Sequence, residues 1–326
     1  MSLGNPEQNH SPAHCYLQYN PQVHTLHILP AQLVFSMAIN GSIINGDAED
    51  SMNDPGRGFL GSLAPSVIPH YAYRGREQFL CDYNAFSQQY NNPPNCADQW
   101  FVVTGVSKGI FDSNFRDPET GPFSKWCSYD AALELLLVKM PESTTHSTAS
   151  STFNRILLKA LEPLGMDLAL ACIGSGCHFG DMGGKEPDQA WRPIRLPPGR
   201  SRAWPVVVLE VALSETQAKL RSDVRYWLRA SEGDVKSVIT LSIGSNARRI
   251  VIGKWATNAE GHQYEQQNVV VSRNGNGRVS ITGAPLVIGF EELFLRSPTV
   301  PRERDIEVSH EMLEFIAART WEEQEN

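Results

Sequence analysis

Two carboxylates stand where a carboxylate is costly. Asp188 lies in Lys185-Glu-Pro-Asp-Gln-Ala-Trp-Arg-Pro193, at the opening of a strand-like segment. Glu210 lies in Trp204-Pro-Val-Val-Val-Leu-Glu-Val-Ala-Leu-Ser214, inside the most apolar stretch of the chain. An ionised carboxylate buried there without a partner costs several kcal/mol, so a cation, a basic side chain or solvent in a cleft must compensate it. Two acids on neighbouring strands that face one gap can chelate a hard divalent cation such as Mg²⁺ (or Mn²⁺). Such a cation lowers the pKa of a bound water and stabilises charge on a phosphate. Asp188 and Glu210 are therefore the candidate metal ligands and catalytic acids.

The elements around them follow from periodicity. Apolar residues at 153, 156, 157, 160, 161 and 164 predict a helix over Thr152–Leu164. Leu168–Ile173, Pro187–Arg192 and Trp204–Leu213 read as strands, the last as one covered on both faces. Ser214 caps a helix running to Ala230, with Leu220, Val224, Trp227 and Leu228 as its apolar stripe. Val235–Ile243 and Arg249–Trp255 are strands joined by a tight turn, and Asn274-Gly-Asn-Gly separates two more, Val269–Ser272 and Val279–Thr282. Phe290–Leu295 and Ser309–Trp321 read as closing helices. Helix, three strands, helix, then two strands is the order of an α/β protein with a mixed β-sheet flanked by helices.

Upstream, Ala131–Val138 reads as a short helix, Pro141–His146 as a turn, and Trp100–Thr104 and His24–Ile43 as strand material. Residues 1–20 form a polar tail, and 44–64, 80–99 and Asp112–Phe123 read as loops. The expected organisation is an irregular, partly β N-terminal region over 1–125 and a second domain over 126–326.

Other chemistry-bearing groups have plainer readings. His146 precedes a helix and caps or packs it. Asp223 faces the helix interior or Arg neighbours and makes a structural ion pair. Gly105-Val-Ser-Lys-Gly109 mimics the elbow of a serine hydrolase, yet Ile110–Pro118 lacks the helical period that such an elbow requires. Cys172, Cys177, His178 and Asp181 lack zinc-finger spacing and read as packing in a Gly-rich turn. Asp47, Glu49, Asp50 and Asp54 lack EF-hand spacing and read as a solvated loop.

Pro187-Asp188, 21 intervening residues and then Glu210 on the next strand resemble the PD-(D/E)xK nuclease superfamily, the restriction-endonuclease-like proteins. More narrowly, the chain is similar to nuclease-like domains of many fungal proteins. The likeness rests on Met140-Pro141…His146, Lys185-Glu-Pro-Asp188, Glu210-Val-Ala-Leu-Ser-Glu215 and Leu220-Arg-Ser-Asp223…Trp227-Leu228, with Gly253-Lys254-Trp255 and Phe290-Glu291-Glu292 downstream. It covers roughly residues 130–322. The resemblance implies a restriction-endonuclease-like core and Mg²⁺-dependent phosphodiester hydrolysis through Asp188 and Glu210. It also implies a lysine two residues after the Glu, where this chain has Ala212. Lys219, one turn into the following helix, is the first candidate to replace it, with Lys254 and Lys185 as the others. A catalytically silent nuclease-fold module for nucleic-acid or protein binding is the alternative, and a fold recruited for small-molecule chemistry is a third.

Composition bounds the partners. The 326 residues include 28 Lys and Arg against 36 Asp and Glu, a formal charge of −8, so nucleic acid must meet a local patch. From Arg192 to Arg229 eight basic residues face three acids, a local +5 that suits a phosphate backbone or forms a solvated face. Six irregularly spaced cysteines read as reduced thiols. No signal-peptide pattern and no apolar run of 18 is found, so an intracellular protein, cytoplasmic or nuclear and not secreted, without membrane contact, is expected.

Overall fold

The computed structural model describes residues 58–60, 68–90, 100–116, 126–140, 143–174, 176–213, 217–244 and 247–325. All lie in the second of two compact units, Met1–Ile43 and Ile44–Asn326. The strand expected over His24–Ile43 and the acidic loop Asp47–Asp54 lie outside the described residues.

In chain order the elements begin with β1 (His70–Ala72), α1 (Arg76–Tyr90), β2 (Trp100–Thr104), α2 (Lys108–Asn114), β3 (Trp126–Asp130), β4 (Leu135–Lys139) and α3 (Thr144–Leu161). Next come β5 (Leu170–Cys172), β6 (His178–Gly180), β7 (Gly183–Lys185), β8 (Gln189–Pro193), β9 (Val207–Leu213) and α4 (Gln217–Ala230). The chain closes with β10 (Ser237–Ile243), β11 (Arg249–Thr257), β12 (Gln263–Arg273), β13 (Val279–Thr282), β14 (Leu286–Ile288), α5 (Phe290–Phe294), β15 (Ile306–Val308) and α6 (His310–Glu325).

The fold is mixed α/β. Strands β13-β12-β11-β10-β9-β8-β5 form a seven-stranded sheet in which only β9 and β10 run parallel. Strands β1-β2-β4-β3-β7-β6 form a six-stranded sheet, parallel only at β1–β2. The boundary expected at 125/126 falls between β2 and β3, which belong to this one sheet. Helices α3 and α6 pack on one face of the seven-stranded sheet through Phe153, Leu157, Leu313 and Trp321. Its other face meets α4 and the six-stranded sheet in a second core holding Trp100, Cys127, Leu137, Val208, Val224 and Trp227. Helices α1 and α2 cover the outer face of the six-stranded sheet through Phe79, Phe86 and Phe111. Among the described residues no helix is long and apolar enough to cross a membrane.

Three local expectations are corrected. The helix expected over Ala131–Val138 is a turn followed by β4, because Leu136 and Val138 enter the outer core while Leu137 enters the inner one, a period of two. Within the stretch expected to be irregular from residue 80 lies most of α1, whose stripe of Phe79, Tyr83 and Phe86 packs on Phe101. Helix α2 follows Ser107, which caps it by accepting from the Ile110 N–H at 3.4 Å. Ser107 has extended backbone angles, φ −60° and ψ 160°, so it is a helix cap and not a strained nucleophile elbow.

Candidate active site

Strand pairing brings the two acids together. Strands β8 and β9 run antiparallel with Gln189 opposite Leu209 and Ala190 opposite Val208, and one further step sets Asp188 opposite Glu210. Ala190 and Val208 enter the core between the sheets, whereas Trp191, Val207 and Leu209 enter the opposite core. Alternation therefore aims Asp188 and Glu210 into the same inter-sheet layer.

Each acid is held by nitrogen. Asp188 accepts from the Val211 N–H at 2.7 Å through Oδ2, from Lys139 Nζ at 2.9 Å through Oδ1, and meets His146 Nε2 at 3.1 Å. His146 Nε2 also lies 3.0 Å from the Val211 carbonyl. Glu210 Oε1 accepts from Trp227 Nε1 at 2.5 Å and lies 3.4 Å from Lys185 Nζ. Asp223 joins the two halves, with Lys185 at 2.9 Å and Lys219 at 2.5 Å. The Trp100 ring lies beneath the ammonium groups of Lys139 and Lys219, 5.2 and 4.7 Å from its centre. Three acids thus face three lysines, and the Asp188 and Glu210 side chains are 9% and 6% exposed.

The environments split the two acids. Burial pushes Asp188 up, but Lys139, His146 and the Val211 amide together hold it well below the usual carboxylate range. Burial pushes Glu210 up to about 8; Lys185 opposes this, and Asp223 and Asp188 add to it. Burial works against the charge of Lys185, yet Asp223 and Glu210 keep its ammonium well above the ordinary value.

The lysines sort by contact. Lys185, from β7, is the one ion-paired with Glu210, whereas Lys219 pairs with Asp223 and Lys254 pairs with Glu292 at 2.7 Å. Asp223 makes ion pairs, but with Lys185 and Lys219 rather than with the Arg neighbours expected. His146 is more than a packing residue: Ser143 caps α3, accepting from the His146 N–H at 3.2 Å, while the ring reaches Asp188 and Val211. Sequence reasoning missed Lys139 and Trp100. They enter from β4 and β2 of the other sheet, and only the Lys at the end of an apolar run hinted at either. The Cys and His residues of the Gly-rich stretch diverge: Cys172 donates to Asn154 Oδ1, and His178 Nδ1 sits on the Ala203 carbonyl.

The Asp188 and Glu210 carboxylates and the Val211 carbonyl are oxygen donors, the type a hard cation takes, but Lys139, Lys185 and main-chain and indole N–H groups already compensate the two acids. Among the described residues no three side chains of His, Cys, Asp and Glu form a group that could hold a metal ion. The basic segment is partly committed: Arg200 pairs with Asp234 at 2.7 Å and Arg225 donates to the Gly58 carbonyl, while Arg195 and Arg202 are exposed.

No protein-family model and no curated protein matches the chain. Among solved structures, one of a candidate nuclease belonging to DUF820 from Anabaena variabilis ATCC 29413 is similar at 12% identity, over 56% of this chain and 87% of that one, with a TM-score of 0.31. A score of that size does not establish a common fold.

Proposed function

We propose that the chain is a nuclease-like module of the PD-(D/E)xK type, a metal-dependent phosphodiesterase acting on nucleic acid through Asp188 and Glu210. The observation that supports this is the facing of the two acids across β8 and β9, with Lys185 Nζ 3.4 Å from Glu210. Lys185 then takes the part of the lysine absent at Ala212, and Lys219 neutralises Asp223 beside it. Asp188, Glu210 and the Val211 carbonyl would hold Mg²⁺ or Mn²⁺, which when bound supplies Lewis acidity for water and for the phosphate. Asp188 stays ionised at neutral pH because Lys139 and His146 hold it so. Burial pushes Glu210 up to about 8, so it would join Asp188 as a carboxylate ligand most fully in alkaline solution, with the Lys185 ammonium 3.4 Å away to orient a water. Arg195 and Arg202, both exposed, offer contacts for the phosphate backbone.

A second assignment, a silent binding module, is favoured by closure: the side chains of Lys185, Asp188, Glu210, Lys219 and Asp223 are all at most 9% exposed. Incubation of plasmid and single-stranded DNA with Mg²⁺ or Mn²⁺ separates the two. Cleavage that disappears in Asp188→Ala and Glu210→Ala supports hydrolysis, and cleavage unchanged in both refutes the assigned roles. Salt-sensitive DNA binding without cleavage selects the silent module.

A further inference from the structure

We propose that the cavity between α2 and the β6–β7 hairpin, on the outer face of the six-stranded sheet, binds a nucleoside monophosphate unit. This goes beyond the hydrolytic assignment and does not rest on the acidic layer. The cavity has a volume of about 280 Å³ and is bordered by Lys108 and Asp112 of α2, Arg116 just past it, Tyr129 of β3, and Phe179 and Asp181 of the hairpin. That volume lies at the low end for small-ligand sites, so it admits one base with its sugar and no stacked run of them.

Three kinds of group meet there. The first is aromatic. Tyr129 stacks on Phe111 with ring centres 3.8 Å apart and planes 4° from parallel, and Phe179 lies 6.1 Å from Phe111. The Arg116 guanidinium sits 4.9 Å from the centre of the Phe179 ring. Bases stack on aromatic rings and on guanidinium planes alike. The second is ionic. Asp112 pairs with Lys108 and with Arg116, each at 3.1 Å. All three side chains are exposed, and exposed pairs are weak enough to exchange a partner for a phosphate. The third is polar and unengaged. Tyr129 is 2% exposed, yet its hydroxyl has no hydrogen-bond partner, and Asp181 engages no other side chain among the described residues. Burial, helped by nearby acids, pushes the Tyr129 hydroxyl up to about 12, so at neutral pH it donates as well as accepts.

The balance of charge selects the ligand. Lys108 and Arg116 face Asp112 and Asp181, so a bare anion or a bare cation gains from one pair and loses to the other. A nucleotide satisfies all of them: its phosphate meets the cations, its flat face meets the rings, and the edge of its base offers donors to Asp181 and a partner to the Tyr129 hydroxyl.

Calorimetric titration of the whole protein in EDTA tests this with adenosine, guanosine, cytidine and uridine 5′-monophosphates, the matching nucleosides, inorganic phosphate and a short 5′-phosphorylated single-stranded oligonucleotide. Saturable binding of at least one mononucleotide is expected, with its nucleoside and inorganic phosphate weaker by about tenfold or more. Tyr129→Phe keeps the ring and should leave the melting temperature of the unliganded protein unchanged, since the hydroxyl has no partner to lose, while weakening the nucleotide about tenfold. Arg116→Ala should weaken the nucleotide more than the nucleoside. An oligonucleotide that binds as tightly as the mononucleotide assigns the cavity to a strand end; binding of the mononucleotide alone assigns it to a free nucleotide. No saturable binding of any nucleotide, inorganic phosphate that binds as tightly as the nucleotide, or equal affinities in the wild type and both variants overturns the proposal. Because the chelator removes divalent cations, a negative result here leaves the hydrolytic assignment standing, and absence of cleavage leaves this one standing.

Discussion

At the residue scale, the central fact is that two acids a strand apart titrate in opposite directions. Glu210 holds its proton to about pH 8, above the 4.5 of an unperturbed glutamate. A raised folded-state pKa means that its contribution to stability is fully present below about pH 4.5 and is lost as pH rises through about 8. Glu210→Gln removes that dependence, so urea unfolding between those limits should give a flatter stability profile than the wild type; parallel profiles would contradict it. Asp188 has the opposite sign. Its stabilisation is present above 3.8 and is lost as pH falls through its lower folded value, so Asp188→Asn should lose stability at neutral pH and converge with the wild type in strong acid. Lys185→Met strips Glu210 of its lysine and Asp223 of one of two, and breaking buried pairs in this way should cost about 3–5 kcal/mol in the same unfolding measurement. A stability unchanged by that substitution would remove Lys185 from the network.

At the element scale, the site depends on short strands that present lysines from a second sheet. Gly183 shows how tightly β7 is set: its φ is +132°, and a Cβ there would lie 1.8 Å from the Tyr129 carbonyl oxygen. Gly183→Ala should therefore break the β3–β7 pairing, displace Lys185 and lower the melting temperature by roughly 5–10 °C for a loss of several kcal/mol. The same elements explain what was legible in the sequence. Strands β9 and β10 and helix α4 could be read because continuous apolar runs and a 3.6-residue stripe point to buried strands and a packed helix. Asp188 and Glu210 could be read because a carboxylate stands out in such surroundings. Strands β1, β6 and β7 could not, since three residues with His and Gly carry no period. The β3–β7 pairing, which delivers Lys185, joins residues 57 apart, such as Ser128 and Lys185. Helix α1 was hidden because its stripe is aromatic and interrupted by polar residues, and β4 was mistaken for a helix because four consecutive apolar residues fit either period.

At the scale of the whole molecule, the six-stranded sheet lies over the acidic layer and accounts for its burial. Lys139 and Trp100 come from strands that the sequence pattern did not connect to Asp188. A formal −8 also limits nucleic-acid binding to a few local contacts. With Arg200, Arg225 and Lys219 engaged internally, two to four basic residues of the 192–229 segment can reach phosphates. The slope of log affinity for duplex DNA against log salt should then lie between about −2 and −4, at roughly 0.9 per contact. Arg195→Ala should weaken binding equally for all sequences, and a change confined to one sequence would point to base contact instead.

The claim underlying all of this is that Asp188 and Glu210 exist to hold a divalent cation. Calorimetric titration of Mg²⁺ and Mn²⁺ into the wild type and the Asp188→Ala/Glu210→Ala pair of variants at pH 8 tests it most directly. Saturable binding that is abolished by either substitution is the predicted result; identical binding in all three proteins, or none in the wild type, would contradict it.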